Sequence, residues 1–243
     1  MIICPKCKNE LLKIDNTYKC INSHSYDIAK SGYLNLLLSR VNTGDSKEML
    51  ISRDNFLGQD FYLPIAELIV EKISQPHPVV IDCGCGTGYY LNCISKKIPG
   101  VFLGVDISKI AIEKATKKNK DIFYVVASNY NVPFMNECAD ILLNIFAPYC
   151  DSEFNRLLKP NGKLITVSAN INHLQEIKKL IYNTPHINIG KVYALPSFEL
   201  LEEQVLEYKI MLSQNNLINL FKMTPYYFKT KSEDFEKLLS VKA

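Results

Sequence analysis

The sequence predicts an α/β fold, a doubly wound and mostly parallel sheet, with a small metal-binding module at its N-terminus. Three observations predict it. The apolar run Val79-Val-Ile-Asp82-Cys83 opens into three glycines at alternate positions, Gly84, Gly86 and Gly88. Strands that are apolar throughout belong to parallel sheets covered on both faces, where ligands sit beyond the carboxyl ends of the strands. Four further apolar runs downstream alternate with helical patterns, as doubly wound folds require. Finally, Cys4, Cys7, Cys20 and His24 fall within the first 24 residues in the spacing C-x2-C, then C-x3-H.

The N-terminal elements follow from that spacing. Zinc takes four soft or borderline donors in a tetrahedron, and a C-x2-C knuckle supplies two of them from one tight turn. Between the pairs, Leu11 to Lys19 reads as a hairpin turning at Asp15-Asn16. So small a segment has too little core to fold alone, so metal binding drives its folding, and a closed four-ligand set makes the metal structural. Residues 1–40 hold six Lys or Arg, including Arg40, against Glu10, Asp15 and Asp27, a balance of +3 that equals the formal charge of the whole chain. With Tyr18, Tyr26 and Tyr33 interleaved, the module offers cations for phosphates and rings for unpaired bases.

Residues 39–46, Ser-Arg-Val-Asn-Thr-Gly-Asp-Ser, are polar and turn-rich and mark a hinge. Asp45 or Ser46 caps the helix that follows, and Leu63 to Ile73 carries Ile65, Leu68, Ile69 and Ile73 on one helical face. After the glycine turn come a crossover helix from Tyr89 to Ile98, a strand ending in Asp106 and a helix from Ser108 to Lys118 with a basic face. Ile122 to Ala127 is the next strand, followed by Ser128-Asn129; Asp140 to Phe146 and Lys163 to Ser168 are the last two, separated by a helix and the turn Pro160-Asn161-Gly162. The expected divisions are 1–38 for the metal module, 39–75 for a linker with helices, and 76–243 for the α/β domain.

The glycine spacing narrows the ligand. A dinucleotide fingerprint is G-x-G-x-x-G, with the pyrophosphate on the helix N-terminus. Here the pattern is D-x-G-x-G-x-G, Tyr89 stands where a third glycine would fall, and a second acid, Asp106, lies eighteen residues beyond Gly88. One acid opening the loop and another suited to a ribose diol fit a cofactor with an amino-acid moiety and an adenosine but no phosphates, which is S-adenosylmethionine.

At 243 residues and 47% hydrophobic, the chain can bury a full α/β core plus an accessory unit. No apolar stretch approaches the roughly 20 residues that span a bilayer, and no signal-peptide core opens the chain, so a cytoplasmic protein without membrane contact is expected. Five of the eight cysteines lie in the α/β region, where free thiols are expected.

With these residues in hand, the chain resembles class I S-adenosylmethionine-dependent methyltransferases, which are Rossmann-like, through the D-x-G-x-G-x-G loop, Asp106, Val132-Pro133-Phe134 and Leu158-Lys-Pro-Asn-Gly162. More closely, it resembles the bacterial enzymes that methylate N1 of a guanine in a hairpin loop of large-subunit (23S) ribosomal RNA. The N-terminal C-x2-C…C-x3-H, Ala29-Lys-x-Gly-Tyr-x-Asn-Leu-Leu37, Gly44-Asp-Ser-x-Glu-Met49, Phe56-Leu57, Gly88-Tyr-Tyr90, Ala147-Pro148 and Met223-Thr-Pro225 carry that likeness over nearly the whole chain. The resemblance implies that Cys4, Cys7, Cys20 and His24 bind zinc and that Tyr62, Gly86, Thr87 and His173 touch the cofactor, joined on the class I pattern by Asp82, Gly84, Gly88 and Asp106. It also implies a homodimer whose two finger modules help form a cleft for the RNA. Asn144 to Pro148 lies where class I base methylases bind the acceptor, with Phe146 or Tyr149 to stack on it, so Asn144→Ala is expected to lower turnover more than cofactor affinity.

Two departures stand out. Many class I enzymes place an acid where Ser128 stands, so Ser128 and Asn129 would meet the adenine with neutral groups. The class also ends in a hairpin whose last strand joins the sheet; Phe198 to Leu212 is expected as its first arm, and the sequence ends at Ser240-Val-Lys-Ala243 without the second. Two rival readings remain at this point: a small-molecule methyltransferase on the same fold, and a non-catalytic zinc RNA-binding protein with a decayed methylase domain.

Overall fold

The computed structural model describes residues 1–39, 46–183 and 194–240. Most of the expected hinge, including Arg40, Gly44 and Asp45, and the last three residues lie outside these. The chain divides into two compact units, one of Met1–Gly44, Ile65–Val167 and Ala194–Glu199, the other of Asp45–Pro64, Ser168–Tyr193 and Leu200–Ala243.

The first unit begins with β1 (Leu12–Ile14), β2 (Thr17–Lys19) and β3 (Ser25–Asp27), an antiparallel three-stranded sheet. The β1–β2 turn falls at Asp15-Asn16 as expected, with Asp15 at φ 53°, a left-handed position that Asp tolerates. Next comes β4 (Leu34–Asn35), which pairs in parallel, Leu34 opposite Val125, with a strand of the main sheet. The expected five-stranded sheet therefore has six strands. The sixth comes from the metal module, because Leu34 and Leu36 are apolar enough to be buried against the sheet. A second anchor lies at the start of the chain, where the Ile3 amide donates to Pro133 O at 3.0 Å and the Met135 amide to Met1 O at 2.9 Å.

In the second unit, α1 (Lys47–Leu57) is capped by Ser46, whose hydroxyl accepts from the Met49 amide at 3.1 Å. From Ile65 to Val167 the chain belongs again to the first unit: α2 (Leu63–Lys72) leads into β5 (Val79–Cys83), α3 (Tyr89–Ser95), β6 (Val101–Asp106), α4 (Lys109–Lys118), β7 (Phe123–Val126), β8 (Ala139–Ile145), α5 (Asp151–Leu157) and β9 (Leu158–Val167). The strand order is β4-β7-β6-β5-β8-β9, parallel throughout. All the carboxyl ends consequently share one edge of the sheet, where the glycine turn lies. The Pro160–Gly162 turn is not a separate loop; it is a bulge inside β9, which shifts the register from Ala139–Leu158 to Ile141–Lys163.

The rest of the second unit is helical: α6 (Gln175–Ile181), α7 (Gln214–Lys222) and α8 (Ser232–Leu239), with a 3-10 turn at Tyr227–Lys229. Phe221 stacks on Phe235 with ring centres 5.9 Å apart, and the buried Lys178 ammonium lies 4.6 Å from the centre of the Tyr226 ring. The expected hairpin arm at Phe198 to Leu212 is absent. That stretch forms no strand and is exposed over most of its length, and Ser213 then caps α7, so the chain turns to helix where a second arm would be needed. Among the described residues, no helix is long and apolar enough to cross a membrane.

Candidate zinc centre and cofactor site

The four expected metal ligands converge. Their donor atoms all lie within 4.8 Å of one another. Cys4 Sγ and Cys20 Sγ are each 3.4 Å from His24 Nδ1, and Cys7 Sγ is 3.6 Å from Cys20 Sγ. A tetrahedral zinc with ordinary bond lengths has ligand–ligand edges of roughly 3.5–3.8 Å, so the donor set fits the ion. The Tyr26 hydroxyl, 3.4 Å from Cys4 Sγ, is placed to donate to that thiolate. The Asn9 side chain and amide hold the Cys7 thiol low, at about 5, in the range that favours the metal-binding thiolate.

The module's tyrosines pack inward to different degrees. Tyr33 is buried, Tyr26 faces the metal ligands, and the Tyr18 ring tilts against Phe123 at 6.2 Å. Tyr18 and Tyr26 are partly buried against the core, and only Tyr33 is fully enclosed.

At the carboxyl edge of the sheet, Gly84 and Cys85 donate their amides to Val105 O at 2.8 and 3.0 Å, folding the turn back over β6. Gly84 has φ +96°, and a Cβ there would lie 2.3 Å from the Ala147 methyl. Gly88 has φ +74° as the N-cap of α3, and a Cβ would lie 2.5 Å from Tyr124 Oη and 2.9 Å from Ala115 Cβ. Around the Cβ position of Gly86, by contrast, no heavy atom lies within 4 Å. The turn is packed tightly from below and open above, which is the shape of a ligand cradle. Lys118 reaches the buried Thr87 at its carbonyl and hydroxyl, 3.4 and 3.5 Å away.

Asp106 braces this turn. One carboxylate oxygen accepts from the Gly86 amide and the other from the Ser108 amide, each at 2.8 Å. Asp82 lies beneath the turn, 1% exposed, with neither carboxyl oxygen hydrogen-bonded. Burial, and secondarily the nearby Asp106, push its pKa from 3.8 up to about 8. Tyr124 Oη and Asn144 Oδ1 are likewise buried without a hydrogen-bond partner among the described residues. Orphaned polar atoms under an open glycine cradle fit a ligand that brings an amino group and hydroxyls of its own.

The loops beyond β7 and β8 close the site. Ser128 Oγ accepts from the Tyr130 amide at 3.2 Å, and Asn129 donates to Pro148 O at 3.0 Å. Asn144, fully buried, also donates to Pro148 O at 3.0 Å and to Cys83 O at 3.0 Å. These two bonds tie the β8 loop to the end of β5, while its Oδ1 is left without a partner among the described residues. Phe146 stands 45% exposed at φ 52°, a strained position for an aromatic residue, whereas the Tyr149 hydroxyl is held by the Ala194 amide at 2.9 Å. Arg156 went unnoticed in the sequence: it donates to the carbonyls of Val132 and Phe134 and pairs with Glu153, fixing the Val132–Phe134 loop.

Of the ten residues expected at the cofactor, Asp82, Gly84, Gly86, Thr87, Gly88, Asp106, Ser128 and Asn129 gather at this edge of the first unit. Tyr62 and His173 belong to the second unit. Tyr62 is buried edge-on to Phe56 at 5.3 Å, and His173 is half-buried in the turn after β9, its pKa lowered by burial and then by Lys178.

A parallel sheet with an acid-led glycine cradle, joined to a four-ligand zinc module, defines an S-adenosylmethionine-dependent methyltransferase of class I with a structural zinc. Residues 2–43 match the zinc-ribbon family described as RlmA, N-terminal, and residues 80–162 match the family described as Methyltransferase domain. YxjB of Bacillus subtilis (strain 168), provisionally named a 23S rRNA (guanine-N(1)-)-methyltransferase, is 30% identical across 100% of this chain and 92% of its own length. The 23S rRNA (guanine(748)-N(1))-methyltransferase of Streptomyces fradiae is 30% identical over 72% of this chain and 65% of its own. A solved, provisionally named methyltransferase of Methanococcus maripaludis is 23% identical over 54% of this chain and 66% of its own, with a TM-score of 0.46. The chain belongs to the 23S rRNA (guanine-N1)-methyltransferase family.

Proposed function

We propose that this protein transfers a methyl group from S-adenosylmethionine to N1 of a guanine in a hairpin loop of 23S ribosomal RNA. The observation that carries this reading is that a relative provisionally named for this reaction aligns with the whole of this chain, ribbon and methyltransferase domain together, over 92% of its own length. Residues 1–38 are the RNA-recognition module, 39–75 the linker and its helices, and 76–243 the catalytic domain, working as a homodimer.

In this reading Asp82 and the backbone of Gly84, Gly86, Thr87 and Gly88 seat the amino-acid end of the cofactor. Asp106 holds the ribose and Ser128 and Asn129 border the adenine, and the family resemblance adds Tyr62 and His173 to the cofactor contacts. When bound, the cofactor supplies the activated methyl group. The protein's own contribution is to orient the acceptor and exclude water. Phe146, exposed on a strained backbone at the end of β8, offers a face for an extruded base, and a loop guanine costs less to extrude than a paired one.

The test is incubation with labelled cofactor and unmodified large-subunit RNA, mapped by reverse transcription. N1-methylation blocks Watson–Crick pairing, so one cofactor-dependent stop at a guanine is expected. Label in small metabolites but not in RNA would replace this reading with a small-molecule methyltransferase, and failure to bind the cofactor would replace it with a non-catalytic RNA-binding protein. Sedimentation of the zinc-loaded protein as a monomer would remove the dimer.

A further inference from the structure

A second concave surface of the first unit lies apart from the glycine cradle. The turn Ala29–Tyr33 of the zinc module lies against the outer face of α4, and between them is an open cavity of about 690 Å³. Lys30 approaches from the turn, Lys109 and Lys117 from α4, and Lys120 from just beyond it; all four are exposed. The one acid in the wall, Glu113, is already paired with Lys117 at 2.8 Å. Lys30, Lys109 and Lys120 have no ion pair among the described residues. Lys109, one turn before Glu113, shares the field of that carboxylate, which leaves Lys30 and Lys120, from two separate chain segments, as unneutralised ammonium groups in one groove, an arrangement whose repulsion an anion relieves.

The groove is held in shape. A Cβ on Gly32, at φ +104°, would lie 3.4 Å from the Thr116 methyl, so the turn already rests on the helix. Immediately after it, β4 hydrogen-bonds to β7, which fixes the ribbon to the sheet. No aromatic face is offered here, because Tyr33, the one ring in the wall, is 4% exposed. Cations without rings or a patterned set of acceptors grip phosphates and do not read bases. The opposite flank of α4 carries Ala115 under Gly88 and Lys118 at Thr87, so the groove and the cofactor turn lie on two sides of a single helix, roughly 10 Å thick.

The geometry assigns this groove between the zinc-module turn and α4 as the track for the sugar-phosphate backbone of the RNA flanking the target loop, with Lys30, Lys109 and Lys120 as its phosphate contacts. The assignment rests on the RNA-methylation reading and specifies how the ribbon and the catalytic sheet grip one substrate together.

The test uses the full-length, zinc-loaded protein with a 23S RNA fragment that the wild type methylates. Lys30→Glu with Lys120→Glu is compared with Lys96→Glu with Lys97→Glu, the same change of charge at the carboxyl end of α3. The groove pair is expected to raise the RNA KM at least tenfold, with kcat and cofactor Kd unchanged. It should also flatten the slope of log affinity against log salt by about 1.4, at roughly 0.7 per single-strand phosphate contact. The α3 pair should change neither. An unchanged slope and KM in the groove pair would overturn the assignment, as would an equal effect from the α3 pair. A wild type that methylates no RNA would instead sink the functional reading on which the assignment rests, and the two failures are told apart by the wild-type reaction alone.

Discussion

Asp82 offers the sharpest test of the cofactor site, because its burial fixes both a sign and a size. Its carboxyl is 1% exposed, lacks hydrogen-bond partners and titrates at about 8 in the folded protein instead of 3.8. A carboxyl whose folded pKa is raised binds its proton more tightly in the native state than in the unfolded chain. The stability of the cofactor-free protein must therefore fall as pH rises from about 4 to about 8, by up to ~1.4 kcal/mol per pH unit. Over that window the loss approaches roughly 5 kcal/mol, a large share of the 5–15 kcal/mol typical of a folded domain. Asp82→Asn keeps the shape and removes the titration. Urea melts of cofactor-free, zinc-loaded protein at closely spaced pH values should show the variant gaining on the wild type at each step toward pH 8 and level with it near pH 4. On the proposed seat, which sets the cofactor's amino group on this carboxylate, saturating cofactor should stabilise the wild type more at pH 8 than at pH 6 and should stabilise the variant far less. Parallel pH–stability curves for the two proteins would refute the buried, unpaired carboxyl and the cofactor seat built on it.

The other predictions follow from single contacts. Gly88→Ala puts a methyl at φ +74° and 2.5 Å from Tyr124 Oη, so strain and overpacking together should cost about 2–5 kcal/mol in a urea melt, and Tyr124→Phe in the same chain should return part of it; a loss below about 0.5 kcal/mol would contradict the packing. Removing zinc with a chelator should unfold the ribbon and release β4 from the sheet edge, lowering Tm by about 10 °C, with loss of hydrogen-exchange protection along β7 as the marker that separates this from loss of the ribbon alone. Asn144→Ala strips the amide bonds to Cys83 O and Pro148 O, at a cost of about 2–3 kcal/mol. Because those bonds tie the loop after β8 to the end of β5, cofactor affinity and turnover should fall together; a loss of turnover alone would return Asn144 to the acceptor role its position suggested.

What the sequence disclosed and what it hid divide along a physical line. The strand ends, the glycine turn and the zinc ligands were legible because each depends on local requirements: an apolar run, a position without a Cβ, a fixed ligand spacing. The sixth strand was not legible, since Leu34-Asn35 is too short to read as a strand and is defined only by its pairing with Val125 and Val126. The same holds for Tyr124. Nothing in Phe-Tyr-Val-Val marks the tyrosine as the floor of the glycine turn, a role that exists only because Gly88 and Gly104 both come to rest on its ring. For Asn144 the sequence showed only the position: a polar residue at the carboxyl end of a strand sits where ligands bind, but the direction of its amide is set by which carbonyls the neighbouring loops leave unpaired. Cys83 and Pro148 supply two of them, and a buried amide that satisfies both gains more than one turned toward solvent. Side chains that brace a site by long-range contacts are thus the part of its chemistry that spacing alone cannot reveal.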